Sequence, residues 1–497
     1  MKNFSIYKIF LALAALAAAA SCTREIEVRQ YIRMDMNSYT FPIEAEESFT
    51  VNIETSPEEW TAEITDGDDW VTISDLTDNS ITFSATPNET GSMRHATATI
   101  TAGEAKQNIV LTQLFRFDLA KFKVFDEFDN LDMNVVLSYN GRYAAGMDYY
   151  NVMNWETYEQ TYHYTPLVID LETGEVTAYD RIENRAISLK AVSDDGKTLL
   201  IQETFIGNWM FCNNEMTQLP FPDNFRSNDC YVDVMNADGN IVYGYGRQND
   251  GWLYYPIKYT AGSPEVLPMA ETDGHGAQFD PSSSGGNRVL GCSADGSVAY
   301  GVDQNTNRCV YWNAEGIHYV GDDVYDTVEG LIDMSDWGFG LVETILYNQA
   351  EISFTATDRM SPNGKWIAMR YYDADIVDQW YDDYYRPVRF NTETGETEVF
   401  YDLENMSGLT CDDDGLMYLM TETPRTGTDI TEADQTGYVF NPQTGDLVTC
   451  KDYVLREFGL TVPDIQIVRV ASNGNILART FLNDNGTMRA VQCLIMP

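Results

Sequence analysis

Basic residues are scarce in this 497-residue sequence: 31 Lys and Arg stand against 77 Asp and Glu, a formal net charge of −46. Phosphate binding needs a basic surface, so this charge argues against DNA and RNA as partners. It equally argues against docking on anionic lipid headgroups by charge. Histidine is rarer still. The four present, His95, His163, His275 and His318, form no HExxH or other paired zinc spacing. No GxSxG nucleophile elbow occurs. After residue 20 no apolar run has the spanning length of roughly 20 residues. Seven cysteines follow Cys22, an odd number with no CxxC pair, which makes a poor disulfide framework and a poor zinc site. Most lie in apolar runs such as VLGCSADG and AVQCLIMP and read as small buried hydrophobes, with one disulfide between neighbouring strands left open.

What is present is apolar and aromatic: 44% hydrophobic and 12% aromatic residues, with 31 Tyr, enough for packed cores in two or more domains. At the N-terminus Lys2 and Lys8 precede an apolar run, Ile9 to Ala20, and then Ser21 and Cys22, the layout of a secretory signal. Ala19-Ala20-Ser21-Cys22 resembles a bacterial lipobox, with Ala19 where Leu is commoner. The resemblance implies removal of residues 1–21, acylation of Cys22, a short linker over 22–29, and an outer-membrane protein touching the membrane through its lipid only. Whether it faces the periplasm or the cell exterior is left open.

Residues 30–114 read as short strands of period two separated by turns, among them SFTVNIET, WVTIS, SITFSATP and RHATATITA, which predicts a small β-sandwich. Trp60, Trp70-Val71-Thr72-Ile73-Ser74, Asn88-Glu89-Thr90, Arg94, Ala98-Thr99-Ile100 and Leu111-Thr112-Gln113 follow one another in an order that resembles the BACON family. That family is known from lipoproteins and glycan-degrading enzymes of Bacteroidetes. The turn after WVTIS departs from it, with Asp75-Leu76-Thr77-Asp78-Asn79 in place of a glycine-rich turn. The resemblance implies carbohydrate association; the residues themselves are equally those of a spacer, with Trp60 and Trp70 filling the core.

Residues 115–497 carry a repeat: an apolar strand, a turn ending in Asn-Gly or Asp-Gly, and a second apolar strand, with glycines at 141, 196, 239, 296, 364, 415 and 474. Gly supplies the positive φ of a tight hairpin. Each instance is followed by a second strand pair, clearest in PLVIDLETGEVTAYD, PVRFNTETGETEVFY and GYVFNPQTGDLVTC. Four strands per unit make one blade, so an all-β propeller of about seven blades is expected, its last blade completed by Lys121 to Asp126. Val328 to Tyr347, within a long insertion, is partly amphipathic and expected to hold a short helix.

With strands labelled a to d from the centre, the a–b and c–d turns share one face and the b–c and d–a connections the other. The irregular b–c connections hold or adjoin Trp155, Trp209, Trp252 and Trp380. Variable loops on a rigid scaffold are where binding usually resides. The expected ligand-binding residues are Tyr149, Trp155, Trp209, Trp252, Tyr254, Trp380, Tyr381, Tyr384 and Arg386. Aromatic faces beside Asp, Asn and Arg suit a glycan; Tyr, Trp and Arg suit an envelope protein partner as well. No cofactor is expected. Asp373, Asp375 and Asp378, with Asp382 and Asp383, offer oxygens for Ca²⁺ but lack EF-hand spacing. The reading is a non-catalytic glycan-binding envelope lipoprotein. Its rivals are a protein-interaction scaffold and a glycoside hydrolase working through two carboxylates.

Overall fold

The computed structural model describes residues 30–497 apart from 46, 68, 126–134, 156, 184–186, 204, 270–284, 305–307, 325–341, 344–358, 373–384, 422–435 and 485–486. The chain divides into two compact units. One comprises the residues through Asn88 with Arg94–Gln113 and Val152–Gln160; the other comprises Glu89–Met93, Leu114–Asn151 and Thr161–Pro497.

Unit 1 contains two four-stranded sheets. Tyr31–Met34, Phe49–Ser56, Ser80–Ala85 and Val71–Leu76 form one; Ser38–Phe41, Ala105–Gln113, Arg94–Ala102 and Thr61–Asp66 form the other. Alternation decides what each face buries: along Phe49–Ser56, Phe49, Val51 and Ile53 point inward while Thr50, Asn52 and Glu54 are exposed. Trp70 is buried in the core with Phe41, Val71, Ile81, Ile100 and Leu111. Trp60 packs against the same cluster and donates its indole N–H to the Asp78 carbonyl at 2.9 Å. Both tryptophans therefore fill the sandwich, and both contribute the burial of large apolar surfaces that stabilises it.

Unit 2 is a seven-bladed propeller. Blade 2 shows the pattern most plainly, with Ile187–Val192, Thr198–Glu203, Gly207–Cys212 and Glu215–Gln218 antiparallel in sequence order. Blade 3 is built from Phe225–Met235, Ile241–Gln248, Tyr254–Thr260 and Ser263–Val266. Blade 7 joins Ile465–Val470, Ile476–Asp484 and Thr487–Ile495 to Phe122–Val124 from the start of the propeller. The expected closure is thus present, with Val124 opposite Cys493 and Phe122 opposite Ile495. It covers the edge that Thr487–Ile495 would otherwise leave open. The backbone of Val342–Glu343 is a strand linking blades 4 and 5. The rest of Val328–Tyr347, where a helix was expected, lies outside the described residues.

The repeated turn has one construction. In blade 2 the Gly196 N–H donates to the Ser193 carbonyl (3.0 Å), the Thr198 N–H to the Ser193 hydroxyl (3.0 Å), and that hydroxyl to Asp195 (2.7 Å). Ser293, Asp295 and Val298 repeat it in blade 4, and Ser361, Asn363 and Trp366 in blade 5. In blades 2 to 4 the second residue of the turn ties one blade to the next: the Asp194 N–H donates to the Ala237 carbonyl, Ala237 to Ala294 and Ala294 to Pro362.

One element is additional to the expected strands. Helix α1, Cys450–Phe458, follows blade 6, capped by the Thr449 side chain accepting from the Asp452 N–H and ended by Gly459 in the left-handed conformation. The seven described cysteines are free, six of them buried and Cys212 half-buried, so no strand-to-strand disulfide forms among them. No helix among the described residues is long and apolar enough to cross a membrane.

Candidate functional site

On the b–c side of blades 3 and 4 the structure gathers four aromatic rings and three arginines. The blade 3 connection, residues 249–253, is short and anchored at both ends. The Asn249 N–H donates to the Asn224 carbonyl (2.8 Å), the Arg226 guanidinium donates to the Gly251 carbonyl (2.7 Å), and Leu253 is buried. Between these anchors Trp252 is 58% exposed, with Arg226 over its ring at 5.1 Å. An exposed indole on a fixed loop loses little conformational entropy when a ligand stacks on it.

Tyr254 begins the next strand. Arg247 lies 4.0 Å and Arg288 4.3 Å from its ring centroid, and Arg288 also lies 4.9 Å from that of Tyr245. Tyr245 meets Tyr254 edge-on at 5.2 Å and Tyr231 at 5.3 Å. Burial, with Asp229 nearby, pushes the Tyr231 hydroxyl up to about 12, and burial also raises Tyr245. These phenols therefore stay protonated at neutral pH and serve as hydrogen-bond donors. Tyr231 donates to Asp229 at 3.3 Å. The Tyr245 and Tyr254 hydroxyls have no protein partner among the described residues.

A close backbone approach holds Arg288 in place. Gly286 bridges to Tyr254, whose N–H donates to the Gly285 carbonyl at 2.9 Å. Gly286 has φ +107, and a Cβ there would stand 2.2 Å from the Tyr254 carbonyl oxygen. Only glycine fits this position, and two residues later the chain presents Arg288 to the Tyr254 ring.

Along the row from Trp252 to Arg288, guanidiniums outnumber carboxylates. Asp229 is shared by Arg226 (3.7 Å) and Arg247 (3.4 Å), while Arg288 has neither an ion pair nor a hydrogen bond among the described residues. Lys190 and Asp233, at 3.5 Å, balance each other. Within a chain of net charge −46, this row of residues carries three guanidiniums and one carboxylate.

The other expected site residues are placed elsewhere or not described. Tyr149 stacks on Tyr162 at 5.8 Å. Trp209 packs in the blade 2 core and donates to Glu203 at 3.1 Å. Trp155 belongs to unit 1, where its N–H donates to Asn108 (2.9 Å) and Lys106 lies 4.7 Å from its ring. Arg386 is buried and donates to the Tyr385 carbonyl at 3.1 Å. Trp380, Tyr381 and Tyr384, together with Asp373, Asp375 and Asp378, lie outside the described residues, as do His275 and Cys22. Among the described residues no group of His, Cys, Asp and Glu is arranged to hold a metal. A polar cavity of about 340 Å³ opens on the turn face of blade 6, lined by Arg389, Asp412, Asn441, Gln443 and Arg456. Its most buried acid, Asp412, is pushed up by burial and caps its own turn, accepting from the Asp414 (3.1 Å) and Leu416 (2.9 Å) N–H groups.

Trp252 and Tyr254 were among the residues expected from the sequence; Arg226, Arg247, Arg288 and Tyr245, which the structure brings beside them, were not. The available signal was scarcity: in a chain with 31 basic residues, arginines at strand positions facing aromatic partners stand out.

Residues 58–114 match the BACON family, described as "Putative binding domain, N-terminal". The BACON match lies within the sandwich, outside the propeller site. No curated protein matches the chain. Among solved structures, the oligogalacturonate lyase of Vibrio parahaemolyticus is 12% identical and covers 76% of this chain and 99% of its own, with a TM-score of 0.39. The Cps50 (Swd1) β-propeller domain of Myceliophthora thermophila is 11% identical, covering 76% and 100%, with a TM-score of 0.36. TolB of Acinetobacter baumannii is 9% identical, covering 66% and 73%, with a TM-score of 0.28. These likenesses say nothing of what this chain binds.

Proposed function

We propose that the protein is a non-catalytic envelope lipoprotein, anchored through Cys22, that binds a glycan on the b–c side of its propeller. The observation that carries this reading is the anchored, exposed Trp252 beside Tyr254, Tyr245 and their arginines. An indole face takes the apolar C–H face of a sugar ring, while phenol hydroxyls and guanidiniums meet its hydroxyls. The BACON sandwich, whose tryptophans are spent on its own core, acts as the spacer.

A combined glycan and peptide array, read with and without Ca²⁺ and followed by product analysis, tests the reading. Glycan binding without turnover supports it. Release of shorter saccharides from a bound glycan would replace it with the hydrolase, and binding of peptides alone would replace it with the protein scaffold.

A further inference from the structure

We infer that the ligand taken by this site is an anionic saccharide, one bearing a carboxylate or sulfate, with Arg288 and Arg247 as the residues that read its charge. The inference rests on the glycan-binding reading above and adds the ligand's chemical class.

Trp252, Arg226, Asp229, Arg247, Tyr254 and Arg288 form a continuous row, each in ring contact or within ion-pair distance of the next. A neutral sugar needs donors and acceptors in similar number. This row has three guanidiniums, which only donate, the Tyr254 hydroxyl without a protein partner among the described residues, with that of Tyr245 beside it, and a single carboxylate already shared between two arginines. The Nε atoms of Arg247 and Arg288 are buried without a hydrogen-bond partner. Arg247 still donates to Asp229 through Nη1 at 3.4 Å, whereas the Arg288 guanidinium is held by ring stacking and makes no side-chain hydrogen bond among the described residues. A guanidinium fork matches the oxygens of a carboxylate or sulfate and binds either in bidentate fashion. Stacking on Tyr254 fixes the plane of the fork before the ligand arrives, which lowers the entropy lost on binding. The surrounding charge sharpens the inference, because an acidic coat repels anions everywhere except where arginine is concentrated.

The test uses the full chain and its Arg288→Gln and Arg247→Gln variants, with alginate as a uronate polymer, dextran sulfate as a sulfated one and dextran as the neutral control. Affinity electrophoresis gives the dissociation constants, and thermal unfolding checks the fold. The expected result is retention by at least one acidic polymer and none by dextran. Affinity should fall at least tenfold in Arg288→Gln, with an unchanged unfolding temperature. The polymer that retains the protein tells carboxylate from sulfate. Retention by neither acidic polymer, or retention unaltered in both variants, overturns the inference. Neutral glycans bound on the array with equal affinity by wild type and Arg288→Gln would overturn the inference and leave the glycan reading standing. Silence toward every glycan removes both.

Discussion

The Tyr139 hydroxyl, on blade 1, donates to the carbonyl of Cys292, on blade 4, at 2.9 Å. Two blades separate these residues along the ring, so the buried Tyr139 side chain spans the centre of the propeller on its turn face, with Arg469 4.4 Å from its ring. The bond ties blade 1 to blade 4 on the side of the short glycine turns. Tyr139→Phe keeps the ring and removes the bond, and is expected to cost about 0.5–1.5 kcal/mol. Urea unfolding followed by far-UV circular dichroism measures it; an unchanged midpoint would show that the bond adds nothing.

Closure of the ring gives a chemical test. Val124 lies directly opposite Cys493 across an antiparallel strand pair, where Cα atoms stand roughly 4.5–5.5 Å apart, inside the range a disulfide spans. Val124→Cys is expected to cross-link to Cys493 on mild oxidation and shift the protein on a non-reducing gel. A variant that also carries Cys493→Ala should not shift. Failure to cross-link under oxidation would contradict the pairing.

Much of this architecture was legible in the chain itself. Period-two alternation and the recurring Asp-Gly and Asn-Gly turns specify strands and hairpins locally, so the sandwich, the blades and the closing strand are legible in the sequence. Helix α1 was legible too, in Thr449-x-x-Asp452 and Gly459, and was overlooked inside a β-repeat. The site was half legible. An exposed Trp in an irregular loop announces itself, whereas Arg288 reaches Tyr254 only through the Gly286 bridge between blades, a contact that no local pattern encodes.

The turn acids set a pH dependence. Partial burial alone would raise Asp195 and Asp295. The hydrogen bonds from Ser193 and Ser293 and from the N–H groups of Lys197 and Ser297 outweigh it and hold both carboxyls below their ordinary value. A depressed folded-state value contributes stability above the unfolded pKa of about 3.9 and loses it as the pH falls through the folded value. Asp194 and Asp412, raised by burial, work the other way: their contribution is present at low pH and lost as the pH rises. Asn140 and Asn363 accept the same turn bonds as Asp195 and Asp295. The double variant Asp195→Asn, Asp295→Asn should therefore keep its fold at pH 7 and lose less stability than wild type between about pH 5 and pH 2. Parallel acid-unfolding curves would contradict this.

Gly286→Ala probes the support of the site without touching its polar groups. A Cβ 2.2 Å from the Tyr254 carbonyl, at φ +107, forces the two strands apart and carries Arg288 off the Tyr254 ring. Binding is expected to weaken about as much as in Arg288→Gln, because the lost alignment is the same. Wild-type affinity in a folded Gly286→Ala variant would show that the bridge does not position the arginine.

If the b–c rim of blades 3 and 4 is the ligand site, as proposed, removing its exposed indole must weaken binding. Aromatic contacts contribute roughly 0.5–1.5 kcal/mol beyond the area they bury, and the buried area of a stacked indole adds a comparable amount. Isothermal titration of wild type and Trp252→Ala with the glycan selected on the array should show affinity lower by about tenfold or more in the variant, since 1.4 kcal/mol is tenfold. The unfolding temperature should be unchanged, because Trp252 is exposed and belongs to no core cluster. Equal affinity in the two proteins, both folded, would place the ligand elsewhere and contradict the claim.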